Sequence, residues 1–240
     1  MTASTIDPDH LPQGEEKVAA VRSMFDAIAP RYDLVNRIMT FRMDVGWRRR
    51  TVRRLALAPR STVIDLACGT GDLCRELASQ GIAPIGVDLS FGMLAAGTSS
   101  APLVQADALT LPVGAGSVDG ATCGFALRNL VALEPFFAEL ARVVRPRGRI
   151  ALLEVAQPDN GLMRWGHGLY FGQVVPRIGG LLSDASAYRY LPKSVAYLPE
   201  PDLLIDQLRD AGFADARREL LSGGIAQLLV ATRDPAGATP

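Results

Sequence analysis

Ser61-Thr62-Val63-Ile64-Asp65-Leu66-Ala67-Cys68-Gly69-Thr70-Gly71-Asp72 runs from a short apolar stretch, Val63, Ile64 and Leu66, into two glycines that open the segment DLCRELASQG. An apolar run, a glycine turn and then a helical segment read as strand, turn, helix. Downstream the alternation continues. APIGVDLS, PLVQAD, SVDGATCGF and GRIALLEV read as strands two to five, with FGMLAAGT and EPFFAELARVVRP as helices between them. Strands interleaved with helices imply a parallel sheet with right-handed crossovers. After residue 155 the rhythm breaks into a stretch rich in aromatics and glycine. LLIDQLRDAGF then gives a last helix, and ARRELL and AQLLVATR give two closing strands. Upstream, Val18, Val21, Met24, Phe25 and Ile28 stand three and four apart in a helical pattern that breaks at Pro30.

The expected architecture is therefore α/β, a Rossmann-like, mostly parallel seven-stranded sheet flanked by helices, with N-terminal helices and an insertion after strand five. Residues 1–13 read as a disordered lead-in and 234–240 as a flexible tail. Between them 14–233 is one domain: a helical part at 14–58, a ligand-binding core at 59–155, an insertion for substrate at 156–199, and the last helix and strands at 200–233. With 240 residues, 48% of them hydrophobic, the chain is long enough to bury one sizeable core.

Composition excludes several functions. Lys plus Arg and Asp plus Glu both total 25, so no net field draws the chain to nucleic acid. Arg48, Arg49, Arg50, Arg53 and Arg54 form a local basic cluster with two readings, a solvated helix face or an attraction to anionic lipid. Cys68, Cys74 and Cys123 with His10 and His167 lack the spacing of a metal site or a disulfide framework. The polar, acidic N-terminus does not resemble a signal peptide, and no apolar stretch has the length of a bilayer span, so the expected location is the cytoplasm.

Gly69 and Gly71, at a strand's end, let the backbone approach a ligand closely. A dinucleotide fingerprint needs glycine or alanine three positions after the second glycine, where this chain has Cys74. Asp65 at the strand end suits instead a ligand with a cationic methionine end. Asp88, ending strand two, can accept from both hydroxyls of a ribose; Asp107, ending strand three, is placed for an adenine amino group, and the Ala108 N–H for a ring nitrogen. Each acid alone is as readily a helix cap or a solvated turn. Three of them at successive strand ends point to a nucleoside-type ligand, S-adenosylmethionine.

The residues also resemble a known family over about Val21 to Arg233. MFDAIAPRYDLVNRIMT, the following Trp47-Arg48, GFALRNL and AYRYLPKSVAYLP are similar to signatures of the C-methyltransferases of menaquinone and ubiquinone biosynthesis. The resemblance implies a class I methyltransferase fold and transfer of a methyl group from S-adenosylmethionine to a prenylated quinol, demethylmenaquinol being the first expectation. It makes Thr70, Asp88, Asp107 and Ala108 cofactor contacts. It gives Arg128 the stabilisation of a phenolate and Asn129 the orienting of a substrate oxygen, although Arg128 read alone is equally a structural ion pair. Tyr32, Asp33 and Asn36 would close over the cofactor, with core packing for Tyr32 and a helix cap for Asp33 as the plainer roles. Tyr188 and Tyr190 would line the acceptor pocket or anchor the insertion. Apolar residues there (Leu162, Trp165, Leu169, Phe171, Val174, Val175 and Ile178) suit an isoprenoid tail, a bilayer surface or ordinary core. Peripheral membrane contact and a homodimer are the partners that follow. This chain departs from the family at Gly124, where a serine often stands, at Ala126, in LEVAQP and in LLVATR. Two other functions stay open, methylation of a soluble phenolic or polyketide, and a cofactor-binding assembly protein that transfers nothing.

Overall fold

A computed structural model describes residues 13–158, 160–161, 165, 168–170 and 194–235. Strands β1 Thr62–Leu66, β2 Ala83–Asp88, β3 Leu103–Gln105, β4 Val118–Gly124 and β5 Val144–Val155 lie parallel, and β6 Arg217–Leu221 and β7 Ala226–Thr232 complete the sheet. The order is β3-β2-β1-β4-β5-β7-β6, with β7 antiparallel to both its neighbours. The chain winds outward from β1 to β3 and then returns to β4 on β1's other side. That reversal opens a crevice at the carboxyl ends of β1 and β4, where ligands of open α/β sheets bind.

Parallel strands are covered on both faces, so successive residues of one strand serve two cores. Ile64 and Leu66 of β1 and Ile150 and Leu152 of β5 face α6 (Leu133–Val143) and α7 (Pro201–Asp210), meeting Phe136, Phe137, Leu140, Leu204 and Leu208. Val63, Ala151 and Leu153 face α3 (Met43–Leu55) and α4 (Asp72–Ser79), meeting Trp47, Leu55, Leu73 and Leu77. The helical N-terminal stretch divides where the sequence places Pro30: α1 (Gly14–Ile28) ends in a single 3-10 turn, Ala29–Arg31, before α2 (Tyr32–Met39). Ala20, Met24 and Ile28 of α1 bury Val35 and Met39 of α2 in a third, smaller core. This pair sits at the crevice, α1 packing on α5 (Phe91–Ala96) and on the 3-10 turn Leu127–Asn129.

One expectation is corrected. The segment EPFFAELARVVRP is not helical to its end: α6 stops at Val143, and Val144 already pairs with Val118. Pro146 has no N–H for either ladder, and Arg147 turns into the left-handed region at φ 64°. Pairing resumes at Gly120↔Arg149, so the residues between form a bulge. Gly148 permits it, because a Cβ there would stand 2.7 Å from the Asp119 carbonyl oxygen. In the basic cluster on α3, most of the arginines have partners within the chain. Arg48 is buried against Asp44 and Asp72, Arg50 and Arg54 both meet Glu219, and Arg49 approaches Glu76. Four of those five charges are answered from within the chain. Among the described residues no helix is long and apolar enough to cross a membrane, and no three metal-ligating side chains converge.

Candidate active site

The turn after β1 has the conformations its glycines predict, Gly69 at φ 57° and Gly71 at φ 84°. A Cβ on Gly71 would come within 2.7 Å of the Ser99 Cβ, so the turn excludes side chains on steric as well as conformational grounds. Asp88 fastens this turn to the end of β2. One carboxylate oxygen accepts the Gly69 N–H at 2.7 Å and the other the Ser90 N–H at 2.8 Å. Burial raises the Asp88 pKa, and these two amide donors oppose the rise. Each oxygen keeps a second lone pair for a ligand.

Beside this turn lies a cleft open to solvent. Of the residues singled out in the sequence, Tyr32, Gly69, Asp88, Asp107, Ala108 and Asn129 line it together. Asp107 turns its own loop, accepting the Leu109 N–H at 2.9 Å. Helix α1 supplies the opposite wall through Val18, Val21, Arg22 and Phe25. Its Asp26 is tied to the end of β2, accepting from the Ser90 hydroxyl at 2.5 Å and the Gly92 N–H at 2.8 Å. Burial pushes the Tyr32 hydroxyl pKa up, against a hydrogen bond with Asn36. The Asn129 Oδ1 is buried and accepts no hydrogen bond among the described residues. An unanswered buried acceptor costs about 1–3 kcal/mol, and on a cleft wall it calls for a ligand donor.

Other expected site residues stand behind the cleft. Asp65 does not line it: β1's alternation turns the side chain with Val63 toward α4, where it is fully buried. There it accepts from the Thr122 hydroxyl at 2.7 Å and the Cys74 thiol at 3.5 Å. Burial lifts its pKa to about 7 from 3.8. A carboxyl whose folded pKa is raised contributes its stability at low pH and loses it as pH climbs through the folded value. Asp65→Asn should therefore gain stability over wild type as pH rises from about 4 to about 8, by an amount on the order of 4 kcal/mol. Urea titrations at the two pH values check this, and parallel stability curves for the two chains would refute it. Gly71 also stays out of the cleft lining, and the Thr70 hydroxyl is committed to Asp33 at 2.6 Å, so both shape the turn from behind.

Arg128 is likewise not a free cation. Its guanidinium pairs with Glu154, donates to the Phe125 carbonyl at 2.8 Å and to the Ser194 hydroxyl at 3.1 Å, and its backbone N–H meets Glu154 at 3.2 Å. The ion-pair reading of Arg128 is the one the geometry supports. Its pair holds the chain leaving β4, with Phe125 at φ 60°, in the shape that presents Asn129. Glu154 escaped sequence reasoning although it is a fourth acid at the carboxyl end of a strand, and Asp26 escaped it although it lies within the N-terminal signature. Tyr188 and Tyr190 lie outside the described residues, as do Leu162, Phe171, Val174, Val175, Ile178, residues 1–12 and residues 236–240.

The ubiE/COQ5 methyltransferase family model matches residues 12–233. The ubiquinone/menaquinone biosynthesis C-methyltransferase of Syntrophotalea carbinolica is 40% identical over 225 residues, covering 90% of this chain and 95% of that one. The demethylmenaquinone methyltransferase of Thermus thermophilus is 41% identical over 221 residues, covering 88% and 100%. Among solved structures, phosphoethanolamine N-methyltransferase 2 of Haemonchus contortus, in complex with S-adenosylmethionine, superposes with TM-score 0.59 at 13% identity, covering 79% of this chain and 52% of that one. An S-adenosylmethionine-dependent methyltransferase of Archaeoglobus fulgidus superposes with TM-score 0.62 at 15% identity, covering 84% and 99%. These structural likenesses show the fold.

Proposed function

The chain belongs to the ubiE/COQ5 methyltransferase family, and from that premise we propose that it uses S-adenosylmethionine to methylate a ring carbon of a prenylated quinol, converting demethylmenaquinol to menaquinol. The observation that carries the acceptor class is the likeness, at about 40% identity across nine-tenths of the chain, to relatives that bear that activity's name.

The cleft fits the cofactor. Asp88 keeps free lone pairs for the ribose hydroxyls, Asp107 takes the adenine amino group and the Ala108 amide a ring nitrogen, while Gly69 lets the ligand lie against bare backbone. When bound, the cofactor supplies an electrophilic methyl group. The protein's part is to hold a quinol ring still and to favour the form in which a hydroxyl has given up its proton, since that form pushes electron density onto the ring carbon. Asn129, with its unanswered Oδ1, accepts from a quinol hydroxyl and fixes the ring. Arg128, neutralised by Glu154, acts by keeping Asn129 in place. Tyr32 and α1 form one wall of the cleft.

The proposal is tested by mass spectrometry of the purified chain with S-adenosylmethionine and three acceptors: reduced demethylmenaquinone, a ubiquinol precursor lacking the ring methyl, and a soluble phenol. A single added methyl on the first is the expected product. Methylation of the soluble phenol alone would replace this reading, and binding of cofactor with no transfer to any acceptor would make the chain a binding protein.

A prenylated acceptor resides in lipid, so the enzyme should touch a membrane surface, on the cytoplasmic side. α2 and the turn after it offer an apolar face: Leu34 is 55% and Phe41 71% exposed, with Ile38 between them and the exposed Arg42 beside them. Trp165, 69% exposed, adds an aromatic of the kind that settles at bilayer interfaces. Vesicles rich in anionic lipid should sediment the wild-type chain, and Ile38→Ser with Phe41→Ser should weaken that binding about a hundredfold, since two lost apolar insertions at about 1.5 kcal/mol each total about 3 kcal/mol. Unchanged sedimentation would remove this face from the account. The same face is also open to a second copy of the chain, and light scattering without lipid separates a homodimer from the membrane contact.

A further inference from the structure

Among the described residues Lys17 is an ammonium without a carboxylate. It lies on α1, next to Val18 of the cleft wall, and is 3% exposed. No ion pair to it occurs among the described residues. Its Nζ donates to the Leu130 carbonyl at 2.7 Å and stands 3.6 Å from the centroid of the Tyr197 ring. Burial lowers its pKa to about 8. A buried charge held only by a carbonyl and a ring face is a poor device for stability, since an apolar side chain of similar length would fill the space without the desolvation cost.

What the ammonium touches explains it better. Leu130 follows Asn129 directly, and the 3-10 turn that carries Asn129 is closed by Asn129 N–H to Ala126 at 2.8 Å and Leu130 N–H to Leu127 at 3.3 Å. The Leu130 carbonyl is the end of that turn, and Lys17 caps it. Tyr197 ends a second 3-10 turn, Val195–Tyr197, and Ser194 just before it accepts from Arg128. The two turns are thus joined at two points, by Arg128 to Ser194 and by Lys17 to Tyr197. Only the second joint also includes α1.

We propose that Lys17 is a positioning residue for the methyl acceptor: its ammonium pins the Asn129 turn and the Val195–Tyr197 turn to α1, setting the aim of Asn129 at the ring. The inference rests on the quinol methyltransferase reading. The cofactor end of α1 is anchored separately through Asp26 to Ser90 and Gly92, so loss of the pin should be felt by the acceptor and little by the cofactor.

The test uses Lys17→Met, which keeps length and loses charge, Lys17→Arg, which keeps charge, and Tyr197→Leu, which removes the ring alone. Lys17→Met should raise the KM for reduced demethylmenaquinone about tenfold, the cost of one misaimed hydrogen bond, with kcat and the affinity for S-adenosylhomocysteine each within about threefold of wild type. Amide hydrogen exchange over residues 127–131 should quicken in the same variant. Lys17→Arg should restore both readouts, and Tyr197→Leu should give a smaller shift in KM of the same sign. An unchanged KM with unchanged exchange would overturn the proposal, and so would a loss of cofactor affinity as large as the rise in KM, which would make Lys17 part of the cofactor lid. If the wild-type chain methylates no quinol, the functional reading fails on that result, while exchange and cofactor affinity still decide whether Lys17 pins the Asn129 turn.

Discussion

Asp88→Ala is expected to weaken S-adenosylmethionine binding about a hundredfold. The carboxylate is the one acid in the cleft that joins two elements, receiving the Gly69 amide from the β1 turn and the Ser90 amide from the end of β2. Its remaining lone pairs are the proposed acceptors for the ribose. Hydrogen bonds to a charged group contribute about 1.5–3 kcal/mol each, so losing two of them costs about 3 kcal/mol or more, which is a factor of about a hundred in affinity. The alanine variant also leaves the two amides without their acceptor, which loosens the turn. Asp88→Asn should fall between, because its amide oxygen can still take one donor. Asp107→Ala, whose carboxylate serves one ligand group, should cost about tenfold. Calorimetric titration with the cofactor measures all three. Affinity within threefold of wild type for Asp88→Ala would mean that Asp88 is only a strut of the turn and that the ribose binds elsewhere.

The second large effect concerns Arg128 and Glu154. Both are buried and paired with each other. Removing either should cost about 3–5 kcal/mol of stability, because the survivor becomes an unpaired buried charge. Replacing both by methionine should recover most of that loss, since an apolar pair of similar volume has no desolvation penalty. Activity should not recover with it: the guanidinium's bonds to Phe125 and Ser194 are gone, and with them the shape that presents Asn129. Urea denaturation and methyl transfer measured on the two single variants and the double variant decide this. Full activity in the double variant would show that neither charge matters to the site, and a fully stable Arg128→Met chain would show that the pair does not hold the turn.

Much of this fold is legible because a parallel sheet imposes strong local patterns. The apolar run at Val63, Ile64 and Leu66, the glycines that need positive φ and the helix that follows are all local, and so were readable. The end of α6 was not, because its stop depends on Val144 finding Val118, a pairing between residues distant in sequence. At the site, Asp88, Asp107, Ala108 and Asn129, which strand ends and a particular motif mark in the sequence, line one cleft. Asp65 stands behind the cleft because a strand has a period of two: a residue flanked by Ile64 and Leu66 on one core faces the other. For Arg128 the sequence leaves a structural ion pair and a free cation equally open, because it does not show that Glu154, 26 residues on, takes up the charge. The grip of Asp26 on Ser90 and of Lys17 on Leu130 spans 64 and 113 residues, and no spacing rule reaches so far.

The most direct test of the central claim is where the methyl group goes. The chain is incubated with S-adenosylmethionine carrying a carbon-13 methyl and with reduced demethylmenaquinone, and the extracted product is examined by carbon–proton correlation NMR. The account predicts a labelled methyl bonded to a ring carbon, correlated to the neighbouring quinone carbonyl after reoxidation, with the prenyl chain intact. A labelled methoxy signal, which would place the methyl group on oxygen, would contradict C-methylation.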